Sequence, residues 1–124
     1  MTADLVQFLR DRLYEDERQA NAATTFAAAS WSIETSGIVT TGPDDDVYTN
    51  DREVAAHIAR HDPARVLREV EAGRRVLRAH EKWCEGRCEA KYPEGGFDAA
   101  HYWNLKVRAE VYADHPDYRP EWRP

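Results

Sequence analysis

The 124-residue chain is 42% hydrophobic and 32% charged, and its four Trp, six Tyr and three Phe supply enough large burial to exclude disorder throughout. A formal net charge of −6 argues against gross electrostatic binding to nucleic acid or to an anionic membrane. No apolar run approaches the ~20 residues of a membrane helix, and Met1-Thr2-Ala3-Asp4 lacks the basic start and apolar stretch of a secretory signal. The expected location is therefore the cytoplasm, where two Cys do not form a lasting structural disulfide. The charge is uneven. Residues 1–59 carry 4 basic and 11 acidic groups, residues 60–91 carry 9 and 6, and residues 92–124 carry 4 and 6. One basic segment thus lies between acidic flanks.

The first element is a helix over residues 3–22, within an N-terminal segment 1–22. Thr2 can cap it, and Asp4 suits the positive end of the helix dipole. Leu5, Leu9 and Leu13 recur every four residues with Phe8 beside them, while Asp11, Arg12, Glu15, Asp16 and Arg18 form the expected outer face. Residues 23–50 read as a small antiparallel hairpin or meander. Trp31, Ile33 and Thr35 alternate with polar residues, Ser36-Gly37 is a hairpin turn, Gly42 to Asp46 is a loop, and Val47-Tyr48-Thr49 is a short strand.

Residues 51–91 hold a short helix and then a long one. Asn50 and Glu53 have capping-box spacing for the first, over 51–60, with Val54, Ala55 and Ile58 facing in. Asp62 and Pro63 start the second, which runs to about residue 85 with the seam Val66, Val70, Gly73, Leu77, His80, Cys84. Gly73 costs about 1 kcal/mol against Ala there, which predicts close approach of another backbone. That seam serves a core or a second copy of the chain equally well, so a homodimer is one expectation. Residues 92–124 begin with the break Tyr92 to Gly96. A last helix over 98–112 follows, its inward face Ala100, Trp103, Val107 and Val111. The proline-rich end wraps the domain through Tyr112, Tyr118 and Trp122. The expected fold is α+β and a single domain, 1–124, with Leu9, Leu13, Val66, Val70, Leu77, Trp103 and Val107 in its core.

Four residues have the chemistry of a metal site. His80, Cys84 and Cys88 follow at i, i+4 and i+8, and His101 lies across the Gly-rich break. Thiolate and imidazole suit zinc, and a structural site takes four such ligands in a tetrahedron. A straight helix would hold Cys88 far from His80, so the set closes only if the helix ends near Glu85-Gly86. The competing reading places His80 and Cys84 on the apolar seam as ordinary core residues. His57 and His61 share the i, i+4 spacing of zinc proteases, but Ile58 stands where the catalytic Glu belongs. His61-Asp62 by itself does not make a phosphohydrolase. Ser30, Ser32 and Ser36 have no nucleophile elbow around them, and Cys84 or Cys88 with His80 has no third orienting group. No catalytic residue is assigned.

Arg65, Arg68, Arg75, Arg78 and Lys82 form a basic ridge on the long helix. It is a candidate surface for an acidic partner or nucleic acid, or a solvated face paired with Glu69, Glu71 and Glu81. Three functions follow. The leading one is a small non-enzymatic interaction or regulatory protein with an unidentified protein partner, stabilised by zinc. The alternatives are a nucleic-acid-associated factor using the basic ridge and a metal-dependent enzyme using His57, His61 and Asp62 or the His80 cluster.

Two stretches carry a resemblance: Ala56–Ala72, AHIARHDPARVLREVEA, and Tyr112–Pro124, YADHPDYRPEWRP. With the amphipathic first helix and its following Trp segment, the chain resembles, over nearly its whole length, a family of small proteins of unknown function from actinobacteria and their phages. The resemblance implies Cys residues between the two motifs, as a close pair plus one more before the last helix. Here the pair is Cys84 and Cys88, and the later position offers His101 or Tyr102.

Overall fold

A computed structural model of the chain describes residues 2–34, 37–91 and 93–124. In chain order these form α1 (Thr2–Ala23), β1 (Ser32–Ile33), β2 (Ile38–Gly42), β3 (Asp45–Tyr48), α2 (Arg52–Arg60), α3 (Pro63–Trp83) and α4 (Gly96–Ala109), then two 3-10 turns, Glu110–Tyr112 and Pro120–Trp122. The strands make one antiparallel sheet in the order β1-β2-β3. The fold is therefore α+β, with an N-terminal helix, a meander and a helical remainder. Thr35 and Ser36 of the expected strand end and turn, and Tyr92 of the expected break, lie outside the described residues. No helix among the described residues is long and apolar enough to cross a membrane.

The chain divides into two compact units, Met1–Leu13 with Gly73–Pro124, and Tyr14–Ala72. In the unit of residues 14–72, Val39 is fully buried in the central strand and pairs with Ile33 on one side and Val47 on the other. β3 starts at Asp45, two residues before the expected Val47, because the ladder takes up Asp45 and Asp46 after an irregularity at Thr40/Gly42. Thr41 Oγ1 donates to the Asp45 carbonyl at 3.1 Å and fixes that turn. All four β3 residues are exposed, and acidic side chains on an edge strand discourage pairing with another chain.

The cap of α2 is Asp51, not Asn50. Asp51 Oδ1 accepts from the backbone N–H groups of Glu53 and Val54, at 2.7 and 3.4 Å. Thr49 Oγ1 in turn accepts from the Asp51 N–H at 3.0 Å and orients it. Ala55 is fully buried, whereas Val54, expected inside, is 46% exposed. Replacing Asp51 with Ala orphans these donors and should cost about 1 kcal/mol in urea unfolding. Asn50→Ala should cost measurably less.

In the other unit, the Leu5, Leu9, Leu13 and Phe8 stripe of α1 is buried as its periodicity predicts, together with Leu77, Leu105, Ala109 and Trp122. Arg12 corrects the expected outer face. It lies one turn after Phe8 and is buried, its guanidinium 4.9 Å from the Phe8 ring centroid and its Nη1 3.0 Å from His115 Nδ1. Gly73 makes room for a side chain rather than a backbone, since a Cβ there would sit 2.9 Å from Leu13 Cδ2. α4 is rotated by half a turn from expectation. Trp103 and Val111 are 54% and 77% exposed, while Asp98, Leu105 and Ala109 are buried. The tail wraps as expected, with Tyr112, Tyr118 and Trp122 all edging the Phe8 ring.

Candidate metal centre

The centre starts where α3 stops. The helix ends at Trp83, and Gly86 takes a φ of +86°, a left-handed conformation that reverses the chain without a Cβ penalty. This is the helix ending that the His80, Cys84, Cys88 spacing requires. The reversal returns Cys88 to Cys84, with the two Sγ atoms in hydrogen-bonding contact at 2.9 Å and both thiols free. The Gly86 N–H also points at Cys84 Sγ, at 3.3 Å.

One carboxylate holds this loop. Asp98 Oδ2 accepts from the backbone N–H groups of Glu85 and Arg87, each at 2.9 Å. Asp98 is buried in the first turn of α4, so it ties the loop carrying both thiols to that helix. The sequence pattern assigned Asp98 no role beyond its place near the start of the last helix. Its partners are main-chain groups 11 and 13 residues away, which no side-chain pattern records. The Arg87 N–H holds the Asp98 carboxyl below its ordinary range, burial opposes this, and the Glu85 N–H reinforces it. A depressed folded-state pKa stabilises the fold above the unfolded pKa, and that stability is lost as pH falls through the folded value. Melts from neutral pH to about pH 3 should therefore show a smaller acid-induced drop in Asp98→Asn than in the parent protein.

One ligand atom from each of His80, Cys84 and Cys88 lies within 4.8 Å of the other two. Zinc at ~2.3 Å from each sulfur spaces two thiolates at about 3.8 Å, so a small rotation of the Cys pair admits the ion. Burial, and next the neighbouring His101, lowers the His80 pKa, which keeps the imidazole neutral and able to coordinate. Burial also pushes the Cys88 thiol up to about 12, with the Cys84 contact adding to it. A bound cation would supply the charge that deprotonates such a pair. His101 lies outside the triad. Its ring stacks on His80 (5.7 Å, 8°) and on Phe97 (5.3 Å, 13°), and its Nε2 is buried without a hydrogen-bond partner.

The profile of a family of unknown function, DUF6221, matches residues 2–124. The chain belongs to this family. Comparison with curated proteins and with solved structures gives no match.

In this DUF6221 member the other sequence candidates fall elsewhere. The His57 and His61 rings lie 4.5 Å apart, tilted by 42°, but both Asp62 oxygens are engaged as structural acceptors, Oδ2 from the Trp31 N–H and Oδ1 from the Arg65 N–H. Asp62 is thus the N-cap of α3. Of the basic ridge, Arg65 and Arg68 belong to the unit of residues 14–72, and Arg75, Arg78 and Lys82 to the other. Arg65 is ion-paired with Glu69 at 2.9 Å, and the Lys82 ammonium lies 5.5 Å from the Trp83 ring centroid.

Proposed function

We propose that this DUF6221 member is a small non-enzymatic interaction or regulatory protein of the cytoplasm, stabilised by a zinc ion. The observation that carries the reading is the convergence of His80, Cys84 and Cys88 on one point. Those residue types in that closeness are a zinc donor set. His101, stacked on His80, is the chain's own candidate for the fourth position. An ion here would fasten the end of α3 to the loop that Asp98 already ties to α4. What it would hold in place is a helix that turns Phe97 and Trp103 outward, followed by the exposed Val111. Exposed large apolar side chains on a fixed helix suit a protein partner.

The test is elemental analysis of protein purified without chelator, with thermal melts before and after EDTA. About one zinc per chain and a lower melt after EDTA are expected. No metal and an unchanged melt would reduce the triad to core and surface filler.

A further inference from the structure

A tetrahedral zinc ion held by His80, Cys84 and Cys88 has one position left. The chain can fill it with His101, or it can be filled from outside. We infer that it is filled from outside, by a neutral nitrogen donor of the imidazole class, through the groove that the triad lines. This rests on the metal reading above and deepens it.

The groove has a volume of about 710 Å³, and His80, Cys84 and Cys88 all open onto it. Its far wall is the first turns of α1, with Thr2, Val6 and Arg10. His101 does not line it. The His101 Nε2 is buried, and its ring lies nearly parallel to those of His80 and Phe97, at 8° and 13° to them and with centroids 5.7 and 5.3 Å away. The ligand atoms that converge within 4.8 Å are those of His80, Cys84 and Cys88 and not His101, so His101 must leave its present ring contacts to bring a nitrogen onto the ion. The groove side is different, because the three ligands already face open space there. Three protein ligands with one accessible position are the arrangement of zinc sites that exchange a ligand.

Charge selects the class of ligand. Two thiolates and a neutral imidazole cancel the charge of the ion. The groove walls add Arg10, Glu81 and Glu89. Arg10 is ion-paired with Glu81, and Glu89 Oε1 accepts from the Thr2 N–H at 3.1 Å. The walls are therefore acidic by one charge, which disfavours an anionic fourth ligand and favours a neutral one. An imidazole is compact, neutral above its own pKa and a good zinc donor.

The experiment loads the full chain with cobalt(II) in place of zinc and titrates imidazole, then acetate, following the visible ligand-field bands. Imidazole should shift the bands saturably, with the same affinity in His101→Asn, and acetate should bind more weakly. Zinc X-ray absorption on the unmodified protein should show two sulfurs, one imidazole and one light donor. Bands that do not respond in the parent chain, or imidazole binding about tenfold tighter in His101→Asn, would show that His101 closes the site. Two imidazoles in the absorption spectrum of protein prepared without any added imidazole would show the same without any variant. Failure to take up cobalt or zinc at all would sink the metal reading itself.

Discussion

Cys84→Ser and Cys88→Ser should each weaken zinc binding by on the order of 100-fold or more, measured by competition with a chromophoric chelator. The two variants should differ once metal is removed. Cys88 is only 7% exposed and Cys84 is half-buried. A serine at 88 puts a hydroxyl where the thiol behaves as a small apolar group, and should cost about 1–3 kcal/mol in urea unfolding of the metal-free protein. A serine at 84 should cost less. This separates ligation from packing. Loss of metal in both variants, with loss of apo stability confined to Cys88→Ser, is the signature of a site. Unchanged metal content in both would place the ion elsewhere, and a stability loss at Cys88 alone would describe a core cysteine and nothing more.

The periodicities that set the fold were legible where one apolar face had no competitor. The Leu5, Leu9, Leu13 stripe is buried as read, and of the Val66 to Cys84 seam Val70, Gly73 and Leu77 are buried while Val66, His80 and Cys84 are half-buried. α4 had two faces to choose from. Ala100, Trp103, Val107 and Val111 make the more apolar stripe, yet the buried one contains Asp98. A buried carboxylate is favourable only when donors await it, and those donors are backbone groups of the loop after α3. Hydrophobic pattern cannot see a main-chain partner, so the half-turn error follows directly. Arg12 escaped for a related reason, because its companions, Phe8 one turn earlier and His115 at the far end of the chain, make a buried place for a guanidinium. The same limit applies to the candidate metal centre. The spacing of His80, Cys84 and Cys88 named the ligands, and the need for a helix stop pointed to Gly86. Asp98, which positions the loop, left no mark in the pattern.

The tail tests how far one side chain fastens a proline-rich segment. Trp122 is 2% exposed, with its ring centroid 4.9 Å from Phe8 and 5.8 Å from Tyr118. The 3-10 turn Pro120–Trp122 presents the indole. The Arg119 guanidinium lies 5.3 Å from the Trp122 ring centroid, and its Nη1 pairs with Asp4 at 3.2 Å. That exposed pair contributes little by itself, so the indole is what holds the segment down. Trp122→Ala should cost about 3–5 kcal/mol and lower Tm by roughly 10 °C or more. Trp103→Ala, on the outward face of α4, should change stability by no more than about 0.5 kcal/mol. Urea unfolding with a common m-value compares the two directly. A small loss in Trp122→Ala would mean that the Phe8 cluster closes without its last member, through Tyr112 and Tyr118. A large loss in Trp103→Ala would mean that its face is covered in solution, as a docked partner or second copy would cover it.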